Sequence, residues 1–457
     1  MPGDERAGAG GLARLGRFLR DRYEPLIFIL GLLTLAFAYG VAVGKGHVFP
    51  QATINQALDA ARDWQANWRA RLGIRSEYLV ATRHAAGGVT RHDPAAAYPG
   101  HTLLAQFEGG RFGVTLVDMD GRPVHRWRTS FAELFPGQNH LAAPPDEEES
   151  VHGFALLPGG DLLVNLSGYG AGRIDRCSRP VWTVPAETHH AVDALPGGDT
   201  LIPSRHRRSE ASPRHPRLRP GPNGFYFEDT VLRVRPDGSV AEERSVLDLI
   251  YASDWAALFF SGPGPDGITS TEDPTHLNDV EALRPEMAAA FPMFRAGDVM
   301  LSLRNINTIL VVDGQTWRVK WAMSGPFLMQ HDPDFLPNGH ILVFDNRATG
   351  AAPALGHSRI IEIDPLSREI VRSYQGSPEE PFYTRERGES QGLPNGNVLA
   401  AETFAGRAFE VARDGSGANR IVWEYVNLQQ PGFAGIITGA LRVADPAMLS
   451  FVGGACP

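Results

Sequence analysis

The stretch Gln330-His331-Asp-Pro-Asp-Phe-Leu-Pro-Asn-Gly-His-Ile-Leu-Val-Phe-Asp345-Asn346 holds the pattern that decides the fold. A Pro-Asn-Gly turn reverses the chain and launches a short apolar strand, because glycine supplies the turn geometry without steric cost. The same unit recurs at Pro99-Gly-His-Thr-Leu-Leu, Pro158-Gly-Gly-Asp-Leu-Leu, Pro196-Gly-Gly-Asp-Thr-Leu, Arg295-Ala-Gly-Asp-Val-Met and Pro394-Asn-Gly-Asn-Val-Leu. Most copies continue as strand, Asp-containing turn and strand, as in Arg359-Ile-Ile-Glu-Ile-Asp-Pro-Leu-Ser-Arg-Glu-Ile-Val, where Ile and Glu alternate. Each copy therefore predicts a four-stranded unit. Such units cannot bury both faces alone, and a propeller stacks them around a central channel. The fold class expected is all-β, a six-bladed β-propeller over residues 96–457.

Spacing between copies is uneven, and about a hundred residues separate the third and fourth turns. Insertions must lie there. Residues 205–224 read as a loop, and 246–260, with Leu249, Trp255, Leu258 and Phe259, as a helix that either caps the channel mouth or packs on the rim.

Ahead of the repeats, Leu26 to Gly44 carries no charged residue and is long enough to span a hydrocarbon core of roughly 30 Å. Arg6, Arg14, Arg17, Arg20 and Arg22 precede it and only Lys45 follows closely, so the positive-inside rule predicts a cytoplasmic segment over 1–25, a transmembrane helix over 26–44 and the remainder outside. The competing reading is a cleaved signal peptide. Residues 51–72 place Ile54, Leu58, Ala61, Trp64 and Trp68 at helical spacing, which predicts an amphipathic helix in a stalk over 45–95. The expected arrangement is a single-pass membrane anchor with the propeller on the outer side. The membrane is then a partner through that helix, and a membrane protein a further candidate.

The 457 residues, 43% hydrophobic and 21% charged, suffice for a sizeable core. A net charge of −9 without a broad basic stripe excludes nucleic acid as the expected partner. Cys177 and Cys456 lack metal-ligand spacing; a disulfide and two ordinary thiols are equally open.

Histidines stand at one offset before three of the turns: His152, His190 and His331. His276, in Thr275-His276-Leu-Asn278, is the related residue of the fourth unit. Equivalent positions in successive blades converge on the axis. His152 is read as structural turn support. Around His276 and His331, Asn278, Arg304 and Asn346 add donors suited to an oxyanion, and no accompanying carboxylate cluster is apparent. Metal binding by several histidines is the competing reading.

These residues resemble the arylsulfate sulfotransferase family, bacterial enzymes that move sulfuryl groups between phenols without a nucleotide sulfate. The resemblance rests on His190 with its Leu-Pro-Gly-Gly turn, on Thr275-His276-Leu-Asn278 followed by Met300-Leu-Ser-Leu-Arg304-Asn, on Gln330-His331 through Asn346, and on Ser390-Gln391-Gly-Leu-Pro-Asn-Gly with Gly406-Arg407 after it. It implies a six-bladed propeller, His331 as the residue that becomes a sulfohistidine, and His276 as proton donor and acceptor. It further implies Arg304 and His190 as catalytic partners, with Asn278, Asn346 and Thr403 toward substrate. The donor would be an aryl sulfate and the acceptor a phenol, with no dissociable cofactor and no metal. The N-terminal anchor departs from the secreted form of the family. Trp255, Phe259, Phe327, Phe382 and Tyr383 are aromatic candidates for ring stacking. A non-catalytic propeller scaffold, and a different enzyme on the same frame, are the alternatives.

Overall fold

In the computed structural model every one of the six turns opens the second strand of an antiparallel sheet. The structure describes residues 23, 25–41, 76–137, 150–215, 218–221, 223–260, 272–349, 352–353, 356–413, 419–454 and 456. Two short strands, β1 (Leu79–Ala81) and β2 (Gly88–His92), precede the first turn, which leads into β3 (His101–Glu108), β4 (Arg111–Val117) and β5 (Pro123–Arg128). The second sheet follows as β6 (Val151–Leu156), β7 (Leu162–Leu166), β8 (Gly170–Ile174) and β9 (Pro180–Val184). The third is β10 (Asp193–Ala194), β11 (Thr200–Arg208), β12 (Tyr226–Val234) and β13 (Val240–Ser245). The fourth is β14 (Leu277–Ala282), β15 (Val299–Leu303), β16 (Thr308–Val312) and β17 (Val319–Ser324).

The fifth sheet begins with β18 (His331–Phe335) and β19 (Ile341–Asp345). After a small ribbon of β20 (Ala348–Thr349) and β21 (Ala352–Pro353), it is completed by β22 (Arg359–Asp364) and β23 (Glu369–Gln375). The sixth contains β24 (Glu389–Gly392), β25 (Val398–Glu402), β26 (Arg407–Arg413) and β27 (Asn419–Val426), with β2 added beyond β27. The chain then forms β28 (Leu428–Gln430) and β29 (Phe433–Gly435), which pair with β1, and ends in β30 (Ile437–Val443). β30 lies against β3, Leu104 opposite Ala440, so the last strand completes the first sheet.

Six hydrophobic clusters join these sheets in cyclic order. Phe107, Trp127 and Val164 lie between the first and second sheets; Leu163, Trp182 and Ile202 between the second and third; Val231, Leu301 and Trp317 between the third and fourth. Val311, Trp321 and Ile341 join the fourth and fifth, Phe344, Phe382 and Phe409 the fifth and sixth, and Leu104, Leu399 and Trp423 the sixth and first. Because a neighbour covers each face, β15, β16, β19 and β25 are buried at every position. That is why they read as continuous apolar runs rather than alternating ones. The fourth strands, such as β13 and β23, lie at the outer edge and expose most of their side chains.

Several expectations change. Residues 79–92 are not stalk: β1 and β2 pair with β29 and β27, and Thr90 donates to Glu424 (2.6 Å), so the body begins near residue 73. Backbone pairing recruits these strands, a register that turn and hydropathy patterns do not encode. Residues 1–72 form a separate unit, and the amphipathic helix expected over 51–72 lies outside the described residues. Of the apolar span, residues 25–41 are helical with exposed side chains. Among the described residues no helix is long and apolar enough to cross a membrane.

The helix expected over 246–260 is divided. Val246–Tyr251 is α-helical, with the Ser245 side chain accepting from the Asp248 N–H, and Asp254–Phe260 is a 3-10 segment. Val246, Leu247 and Ile250 are buried in the core between the third and fourth sheets, which favours rim packing. Cys177 and Cys456 form a disulfide, Cα atoms 5.5 Å apart, tying the turn before β9 to the chain beyond β30.

Candidate active site

His152, His190, His276 and His331 come from four successive sheets and meet in one tier. Ring centroids are 4.6 Å apart for His152 and His190, 5.0 Å for His190 and His276, and 6.0 Å for His190 and His331. Unusual backbone places them: His190, His276, Met329, Asp332 and Arg387 all have positive φ, between 50° and 60°. Each such residue costs of order 1–3 kcal/mol and persists only where packing over-determines it. Gly153 permits the close approach, since a Cβ there would stand 2.2 Å from the His190 carbonyl oxygen.

Hydrogen bonds assign the imidazole tautomers. The Asn346 amide nitrogen faces two carbonyls, donating to Thr384 O (3.1 Å) and Arg387 O (2.7 Å), so its Oδ1 is the acceptor for His331 Nδ1–H (2.7 Å). His331 Nε2 then carries the lone pair, and it accepts a long bond from the Arg387 backbone N–H (3.2 Å). His276 Nδ1 donates to the Asp273 carboxylate, leaving Nε2 buried and without a partner among the described residues. Both nitrogens of His152 are likewise buried and unpartnered.

Burial keeps the tier neutral. Desolvation, reinforced by the Arg304 charge, pushes His331 down to about 3. Burial and mutual repulsion hold His152 and His190 well below the usual imidazole range. His276 is lowered by burial as well, but Asp273 opposes the shift. A neutral imidazole with its lone pair aimed into the site is a nucleophile or a base.

Two arginines flank the tier. Arg304 follows β15, its backbone N–H bonded to the His276 carbonyl (3.1 Å), and its charge acts on both His276 and His331. Arg387 is buried, lines the cavity and donates to Ser150 Oγ (2.7 Å). A cavity of about 270 Å³ opens against His152, His190 and His331.

The expected substrate contacts fare differently. Asn278 lines this cavity, but its amide nitrogen is spent on Gln330 O (2.7 Å) and the unpartnered atom is Oδ1. It presents an acceptor, not a donor for an oxyanion. Asn346 has both side-chain polar atoms engaged, holds His331 Nδ1–H and is not among the residues lining the cavity. Thr403 is wholly buried at the end of β25, outside the cavity lining. Phe327 and Phe382 are core residues, because each completes a contact between sheets. Trp255 packs on the core between the third and fourth sheets, and the Phe259 side chain lies outside the described set.

The same cavity is lined by Asp193, Asp279, Glu281, Asp332, Asp334 and Glu389, a group of carboxyls that overturns the expectation of a site without carboxylates. Asp193 is paired with Arg284. Burial raises Asp193 despite Arg284, and raises Asp332 to about 7; burial reinforced by neighbouring carboxylates raises Glu281 to about 8 and Asp279, Asp334 and Glu389 well above their usual range. The signal was present in sequence: Asp279 with Glu281, and Asp332 with Asp334, stand two apart at the starts of inner strands. Among the described residues no group of His, Cys, Asp and Glu is arranged to hold a metal ion.

Sequence reasoning also missed His189, Asp229, Asp273 and Arg387. His189 is 3% exposed, its Nδ1 lies 2.9 Å from His190 Nδ1, and its Nε2 lies 3.6 Å from Asp229 Oδ1. The His189-His190 doublet was visible, but only His190 shares the turn offset.

Fold and site together define an all-β protein carrying a buried histidine tier flanked by two arginines. The chain belongs to the arylsulfotransferase (ASST) family, whose profile matches residues 153–427, more than half its length. No curated protein matches it. Among solved structures it is similar to a protein of unknown function from Bacteroides caccae, at 15% identity and a TM-score of 0.46, covering 76% of this chain and 100% of that one. A streptogramin B lyase structure is similar at 10% identity and a TM-score of 0.40, covering 80% and 97%. The WD40 β-propeller domain of Doa1 gives 10% identity and a TM-score of 0.38, covering 76% and 86%.

Proposed function

We propose that this protein moves a sulfuryl group from an aryl sulfate ester to a phenolic acceptor through a sulfohistidine at His331. The observation that carries the reading is the fixed tautomer of His331: Asn346 holds Nδ1–H, and Nε2 presents a neutral lone pair beside Arg304. The ester sulfur is attacked by Nε2, the N–S bond forms, and the S–O bond to the aryl group breaks with its electron pair leaving on the phenolate oxygen. The Arg387 N–H that caps Nε2 at rest is then free to turn to a sulfuryl oxygen. Charge on the three equatorial oxygens needs fixed cations and donors, and Arg304 and Arg387 are the two arginines at hand.

His276 serves the leaving group. Arrival of an anion raises its proton affinity, Asp273 supports the imidazolium, and Nε2 donates to the departing phenolate.

The frame of this reading is a six-bladed β-propeller, supported by six sheets linked in cyclic order and closed by β30 on β3. Its body belongs in the bacterial periplasm, held to the inner membrane by a helix over 26–44. The disulfide suits an oxidising compartment, and the arginines before the apolar span suit a cytoplasmic N-terminus. The test is turnover of para-nitrophenyl sulfate by the full chain in detergent. Nitrophenol release should rise with added phenol and vanish in His331→Ala; release that ignores phenol, or that survives the substitution, would overturn the proposal.

A further inference from the structure

Behind His190 lies a buried chain of polar groups that the sulfohistidine reading does not use. Asp229 is 1% exposed and accepts from Thr275 Oγ1 (2.5 Å) and the Leu277 N–H (2.8 Å). Those bonds, and the neighbouring His189, hold its carboxyl below the usual range despite burial, so it is ionised. Asp229 Oδ1 faces His189 Nε2 at 3.6 Å, beyond direct hydrogen-bond reach, and neither atom has another hydrogen-bond partner among the described residues, so the carboxylate favours the tautomer with hydrogen on Nε2. His189 Nδ1 is then an acceptor, and the nitrogen 2.9 Å away, His190 Nδ1, must be the donor. It follows that His190 Nε2 carries a lone pair. The resemblance implied His190 as a catalytic partner; this arrangement gives it the role of an acceptor.

We infer that Asp229 and His189 are positioning residues that hold His190 as the base for the acceptor phenol in the second half-reaction. The inference rests on the sulfohistidine reading. In that step the N–S bond of sulfohistidine breaks and its electron pair returns to His331 Nε2. The phenol oxygen forms the new S–O bond, and its proton passes to His190 Nε2. The positive charge that His190 acquires is stabilised through Nδ1–H and His189 by the Asp229 carboxylate. His190 lies against His276, ring centroids 5.0 Å apart, and the proton returns there, restoring the acid that the next donor requires. His276 and His190 thereby divide acid and base work between donor and acceptor.

The experiment separates the half-reactions. His189→Gln keeps a donor toward Asp229 and removes the acceptor for His190 Nδ1–H; Asp229→Asn removes the charge. For each variant, folded by thermal melt, the nitrophenol burst without acceptor reports the first half-reaction, and turnover against phenols of graded acidity reports the second. The expected result is a burst within a few-fold of wild type, with turnover on weakly acidic phenols down about a hundredfold and recovery on acidic phenols that are already ionised. Equal loss in both half-reactions, or a deficit independent of phenol acidity, would refute the inference. Absence of a burst in the wild type would instead sink the sulfohistidine reading. Should either variant fail to fold, the other decides.

Discussion

Replacing Asn346 by Ala isolates the role of the His331 tautomer. Among the described residues, the substitution removes the side-chain acceptor of His331 Nδ1–H and leaves Met329 O, at 3.2 Å, as its partner. It also withdraws donors from two carbonyls. Thr384 O keeps the Ser358 hydroxyl at 3.2 Å, so the loss falls on Arg387 O, at a cost of about 1–3 kcal/mol in stability. The kinetic effect is larger than a neutral hydrogen bond suggests, because sulfuryl attachment at Nε2 places positive charge on the ring and makes Nδ1–H a charge-assisted donor. The difference between neutral and charge-assisted bonds is roughly 1–2 kcal/mol, which slows adduct formation about five- to thirtyfold. Stopped-flow measurement of the nitrophenol burst without acceptor reads that rate directly. A lowered melting temperature with an unchanged burst rate would refute the reasoning, since Asn346 would then support the segment around Arg387 and nothing else.

Other expectations follow from burial and charge. The histidine tier has lowered folded-state proton affinity, so the unfolded chain binds more protons below about pH 6.5; stability should be level above that value and fall as pH drops from 6.5 toward 3, and His331→Gln should flatten the decline seen by thermal melts. Glu281 behaves oppositely: its folded value of about 8 exceeds the unfolded one, so stability is full below pH 4.5 and is lost as pH rises toward 8. Glu281→Gln should therefore raise stability at pH 8, by at most roughly 4.5 kcal/mol, and change little at pH 4; equal shifts at both values would contradict the assignment. Reduction of Cys177–Cys456, which closes most of the body into one loop, should cost up to about 5 kcal/mol, read as a drop in melting temperature with dithiothreitol. An unchanged melt would show the seam between β30 and β3 to be self-sufficient.

What sequence disclosed was local. A Gly-containing turn followed by an apolar run depends on adjacent residues, so all six turns and the strands they launch could be read directly. His152, His190 and His331 were legible because a fixed offset from a turn becomes a fixed place in each sheet, and His276 through its Thr275-His276-Leu-Asn278 stretch. The pairing of β2 with β27 was not legible, because its partners lie hundreds of residues away and strand register is a tertiary choice. For the same reason Asp229 and His189 gave no signal together. Asn278 and Asn346 were found as residues, but the orientation of each amide was not legible, because it is decided by Gln330 O, Thr384 O and Arg387 O, backbone atoms that composition does not place. The group of carboxyls was overlooked because histidine offsets drew the reading away from acidic residues on the same inner strands.

The central claim is a covalent sulfuryl group on His331 Nε2. Wild-type protein quenched after exposure to an aryl sulfate in the absence of phenol, then examined by intact mass and neutral-pH peptide mapping, tests it most directly. The account predicts one added sulfuryl group on the peptide carrying His331, discharged on addition of phenol. An unmodified protein that still turns over the substrate, or an adduct on His152, His190 or His276, would contradict it.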